Sequence, residues 1–131
     1  MEKKYLAKII ANDQEGLQMV SACVAGAKIK ISDIKYLQLN KIFLLSGERN
    51  KVESENDNKK VNFVCKFDFI SKVKSKNINQ KNQNLIIELI ALDYLKNNDD
   101  YEINLIFSNN AHIALTTETL ELSLEDQNEI N

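Results

Sequence analysis

The sequence predicts an α+β fold, with one N-terminal helix packed on, or plugging one end of, a strongly bent, mostly antiparallel sheet of about seven strands, open or closed into a barrel. Two observations carry this. Apolar residues recur at spacings of three and four in one stretch, Leu17, Val20 and Val24. After Ala27 the spacing changes to two and stays there, in short runs separated by polar turns.

At 131 residues the chain has the size of a single domain, read here as residues 1–131 with a mobile, charged loop at about 50–60. The apolar fraction of 44% and charged fraction of 27% are those of a globular protein. No apolar run approaches the ~20 residues of a membrane-spanning helix. The opening MEKKYLAKIIAND has the positive start of an export signal without its sustained apolar stretch or cleavage site, so a cytoplasmic setting is expected. Cys23 and Cys65 fit no ligand spacing and read as separate buried thiols. Lysines outnumber the single arginine, Arg49, and Ile and Asn are abundant, a bias that weakens any inference from clustered lysines. A net charge of −2 gives no global attraction to nucleic acid or membranes.

Taken in order, Tyr5 to Ala11 is a short apolar lead-in. Asn12 followed three residues later by Glu15 has capping-box spacing, so a helix should start there and stop at Ala25-Gly26-Ala27. Ile29 and Ile31 begin a strand whose phase slips at Ser32-Asp33 and resumes at Ile34 and Tyr36. A turn at Leu39-Asn40-Lys41, with Asn40 in the left-handed region, leads into a strand from Ile42 to Leu45. Val61, Phe63, Cys65, Phe67 and Phe69 alternate onto one face of the clearest strand. Residues 85–95 fit helix and strand periodicity equally. Tyr101, Ile103, Leu105 and Phe107 then alternate, and Ile113, Leu115 and Thr117 follow before the phase jumps to Leu120, Leu122 and Leu124, as at a bulge or corner.

The only histidine, His112, lies in FSNNAHIAL. Pairing Leu105 with Ile113 and Ile103 with Leu115 leaves a three-residue loop, Ser108-Asn109-Asn110, with Asn110 left-handed. His112 then faces away from the apolar stripe, beside Ile106, with no acidic residue next to it and no second histidine to share a metal, and reads as structural. The acidic groups Glu53 to Asp57, Asp99 with Asp100, and Glu118 to Asp126 lack calcium-loop spacing and read as solvated surface. Three glycines, Gly16, Gly26 and Gly47, build no phosphate loop. No catalytic, cofactor-binding or metal-ligating residues are therefore assigned. The one alternative site is a nucleic-acid contact by Lys72, Lys74 and Lys76 at strand spacing, with Lys81 in the following loop. The plainer reading is an edge strand kept from sheet-to-sheet pairing by its lysines.

The order D-Q-E-G-L-x3-S-A, I-S-D-I-K-Y-L, F-x5-V-K-S-K-N-I and L-I-A-L-D-Y-L resembles the alphaproteobacterial domain-of-unknown-function family 2948, over about Tyr5 to Asp126. The resemblance implies an extended conformation for residues 85–95, running into a turn that is Lys96-Asn97-Asn98 here. It implies no catalytic residues, because none is established for the family. The functional expectation is a non-catalytic interaction or scaffolding module with a protein partner or a second copy of itself. The alternatives are a small ligand held between helix and sheet, and weak nucleic-acid binding through the lysine strand.

Overall fold

The computed structural model describes residues 6–50 and 60–130. In chain order these form β1 (Lys8–Ala11), α1 (Gln14–Val24), β2 (Ala27–Lys30), a 3-10 turn (Ile31–Asp33), β3 (Ile34–Leu37), β4 (Ile42–Asn50), β5 (Lys60–Phe67), β6 (Ile70–Lys76), β7 (Ile86–Asn97), β8 (Asp100–Phe107), β9 (His112–Thr117) and β10 (Leu122–Ile130). The strands make one antiparallel sheet in the order β1-β10-β5-β4-β2-β7-β8-β9-β6, with β3 paired to β4 off that path.

Several expectations are corrected here. The described residues make a ten-stranded sheet rather than one of about seven strands, so the molecule is mostly sheet with a single helix. The lead-in is itself a strand, β1. The phase slip at Ser32-Asp33 is a 3-10 turn that separates β2 from β3. The long aromatic strand breaks at Phe69, whose φ of 60° ends β5 and starts β6. Nor is the sheet a closed barrel: β1 pairs only with β10 and β6 only with β9 among the described residues.

Helix α1 is bounded by a side-chain cap at its start and a glycine at its end. Its N-cap is Asp13 rather than Asn12, and the Asp13 carboxylate accepts a 2.8 Å hydrogen bond from the Gly16 N–H, satisfying one of the first-turn donors. At the other end Gly26, with φ of 86°, takes the left-handed conformation and donates its N–H to the Leu89 carbonyl. Leu17, Val20 and Val24 are buried, as their spacing predicts, and the helix lies on β7, β1, β4 and β10.

Alternation holds along the sheet. Val61, Phe63, Cys65 and Phe67 are buried, and Phe67 meets Phe43 edge-on with ring centroids 6.0 Å apart. Phe69 is a correction, because the break turns it outward to 52% exposure. The segment left open between helix and strand is β7, an extended run whose hairpin to β8 turns at Asn98. In the β3–β4 hairpin the left-handed residue is Lys41, not Asn40. The β8–β9 hairpin has the expected register, Leu105 opposite Ile113 and Ile103 opposite Leu115, with Asn109 and Asn110 both left-handed. At the last phase jump the chain leaves β9, Thr117 Oγ1 bonds the Thr119 carbonyl, and Leu120, Leu122 and Leu124 return to the core. Of the charged loop at 50–60, only Asn50 and Lys60 are described, paired across the β4–β5 hairpin.

Gly47 sets how closely β2 approaches β4. A Cβ there would sit 2.4 Å from the Lys28 carbonyl oxygen, inside contact distance, so only glycine lets the two strands pair at Lys28 and Glu48.

Candidate functional site

The sheet leaves an opening where β3 and β6 face each other without pairing. They touch at one end, where the Ile70 N–H donates to the Lys41 carbonyl and the Tyr36 hydroxyl donates to the Ile70 carbonyl at 2.7 Å. From there the strands diverge around a cleft of about 240 Å³. Ile34 and Tyr36 from β3 and Val73 from β6 form its walls, with Phe43 and Ile113 at its base. Gln80 and Gln83 of the 77–85 segment close the far end, which is held to the turn before β3 by Ser32 N–H to the Gln83 carbonyl.

Parity explains the cleft. Val73 lies opposite Leu115 and Ser75 opposite Ile113, so both point inward with the core face. Lys72, Lys74 and Lys76 lie opposite Thr116, Ala114 and His112 and point out. All three lysines are exposed on the end strand of the sheet, where the lysine-bearing edge was expected. Lys81 is exposed in the loop beyond β6, hydrogen-bonded through its N–H to Asn79 Oδ1, and is not part of the column.

His112 is half-buried beside Ile106, as its register predicts, and its Nε2 lies 2.8 Å from Asn104 Oδ1. In the tautomer with the proton on Nε2 it donates that bond. No group of three or more His, Cys, Asp or Glu is placed to hold a metal among the described residues. Asp99 lies in the β7–β8 turn, and Glu53 to Asp57 lie outside the described residues. Cys23 is half-buried and Cys65 fully buried. Burial pushes the Cys65 thiol up to about 12, so it is no nucleophile at neutral pH.

Over residues 7–131 the chain matches the family described as Protein of unknown function (DUF2948). The protein belongs to the DUF2948 family. No curated protein and no solved structure matches it. For this DUF2948 chain the chemistry must be argued from the residues themselves.

One pair was missed by sequence reasoning. Asp126, read as solvated with Glu118 to Asp126, is buried against Arg49: Nε donates to Oδ1 at 2.9 Å and one terminal nitrogen donates to Oδ2 at 2.7 Å. Asp126 Oδ2 also accepts from the Ala7 N–H, and the Asp126 N–H donates to the Ala7 carbonyl, tying the chain ahead of β1 to β10. The signal was parity. Arg49 continues the inward series Phe43, Leu45 and Gly47, and Asp126 continues Leu120, Leu122 and Leu124. A bidentate pair with both side chains fully covered is structural, since no substrate reaches it.

A second, larger recess of about 890 Å³ lies on the outer face, lined by Lys28, Lys30, Glu48, Asn62, Glu88 and Asn128 among others. Its lining includes the Lys28–Glu88 ion pair and the Asn62–Asn128 hydrogen bond. Neither recess is lined by α1, so neither lies between helix and sheet, the place given by the alternative small-ligand reading. No helix of the described residues is long and apolar enough to cross a membrane.

Proposed function

We propose that this protein is a non-catalytic binding module that takes up an extended segment of a partner protein in the cleft between β3 and β6. The observation that carries this reading is two strand margins, each paired on one side only among the described residues, facing each other across an apolar cleft. Unpaired margins offer a row of backbone donors and acceptors, which an incoming strand can satisfy. The volume of this cleft supports a segment over a small molecule: about 240 Å³ falls below the ~300 to 1,000 Å³ of sites that engulf a small molecule, and suits a few side chains of a longer segment. The reading keeps the cytoplasmic setting expected from the sequence and the alphaproteobacterial source that the family resemblance implies.

The test is affinity capture from the native lysate with the wild-type protein and with Val73→Glu, which places a charge in the cleft wall. A stoichiometric partner held by the first and lost by the second is the expected result. A partner held equally by both would overturn the assignment of the cleft. Strong thermal stabilisation by one metabolite, with no protein captured, would replace this reading with that of a small-ligand binder.

A further inference from the structure

Resting on the strand-accepting reading above, we propose that the segment bound in the cleft alternates apolar and acidic residues. The argument is one of parity on both banks. Along β6 the inward residues are Val73 and Ser75, and the outward ones are Lys72, Lys74 and Lys76. Along β3 the inward residues are Ile34 and Tyr36, paired with the buried Leu45 and Phe43, while Lys35 points outward. A strand laid beside either bank sends successive side chains to opposite faces of the sheet. One set therefore enters the apolar cleft among Ile34, Tyr36, Val73 and Ile78. The other set lies on the outer face between Lys35 on one side and Lys72, Lys74 and Lys76 on the other, all exposed.

Four lysines on two facing banks set the sign of that outer set. Like charges directly opposite are destabilising in a sheet and opposite charges are favourable, so carboxylates fit and basic residues are rejected. Asp33, the carboxylate nearest β3 in sequence, lines the outer recess that also holds Lys28 and Lys30. The same lysines that keep β6 from pairing with another copy's equally basic β6 would thus select an acidic partner strand. A nucleic acid would need the lysines alone and would leave the apolar cleft unused; the structure favours the peptide.

The experiment measures binding of three labelled peptides by fluorescence anisotropy at low salt. Each alternates Val with a second residue, which is Glu, Gln or Lys. Three exposed ion pairs of modest strength predict that the Glu peptide binds about tenfold more tightly than the Gln peptide. This advantage should shrink as salt rises and fall to the small part that Lys35 alone retains in the Lys72→Gln/Lys74→Gln/Lys76→Gln variant, while Val73→Glu should abolish binding of all three. Equal binding of all three peptides would overturn the acidic assignment and leave the strand-accepting reading intact. No binding by any peptide would overturn the strand-accepting reading itself. Lysine-dependent binding of mixed-sequence single-stranded RNA in place of any peptide would overturn both in favour of a nucleic-acid contact.

Discussion

Where β1, β10, β5 and β4 lie side by side, each inner strand is paired on both sides, α1 covers the face, and even a buried charge is matched by a bidentate partner. At the β3–β6 margin the same sheet stops pairing, the cleft reaches down to the core side chains Phe43 and Ile113, and the exposed lysines stand along one bank. The first region shows what the chain does to be stable, and the second shows backbone and apolar surface left open although the fold is already complete. Such a surface is where a binding function is sought.

The contrast can be broken most strongly at the closed side. Arg49→Met alone should cost about 3 to 5 kcal/mol in chemical denaturation, because Asp126 is left buried without its partner. Joining it to Asp126→Leu should recover much of that loss. If the single variant behaved like the wild type, the pair would not be holding β4 to β10. Phe67→Ala should cost a similar amount, about 3 to 5 kcal/mol, through the cavity left beside Phe43.

Cys65 offers a pH test of the same interior. Its folded value of about 12 lies above the ordinary 9.0, so the fold prefers the protonated thiol. That contribution is complete below pH 9 and is lost as pH rises from about 9 towards 12, with a limiting slope of about 1.4 kcal/mol per pH unit. Cys65→Val should lack that part of the alkaline decline when the two proteins' denaturation midpoints are compared from pH 8 to 10.5. Identical slopes would show that the thiol is not sealed from water.

At the open margin, changes should barely touch stability. His112→Ala, which removes one half-buried hydrogen bond to Asn104, and the triple Lys72→Gln/Lys74→Gln/Lys76→Gln variant should each shift stability by no more than about 1 kcal/mol. A loss of several kcal/mol from either would mean that this margin is part of the framework, and the comparison would fail.

Much of the molecule was legible from local pattern. The stripe of Leu17, Val20 and Val24, the face of Val61 to Phe67 and the register of Leu105 with Ile113 all follow from periodicity, because each is set by residues near in sequence or by one turn. Phe69 went wrong because a single left-handed residue reverses parity, and nothing in its neighbours announces that. Asp126 went wrong because acidic composition was weighed above its place in the alternation. The lysine column was legible as an edge. The cleft beside it was not, because β3 and β6 are separated by β4 and β5 in the chain and meet only through the curl of the whole sheet.

Taken alone, the sequence determined the inward stripes of α1, of β5 from Val61 to Phe67 and of β8 with β9, where the helix lies and which strand bears the lysines, since these depend on side-chain alternation and spacing along a few residues. Only the tertiary structure decided how many strands join, that the sheet stays open, that Arg49 meets Asp126, and that β3 and β6 face each other across a cleft. Those outcomes depend on strand order and curvature, which sum over the whole chain and leave no mark at any single position.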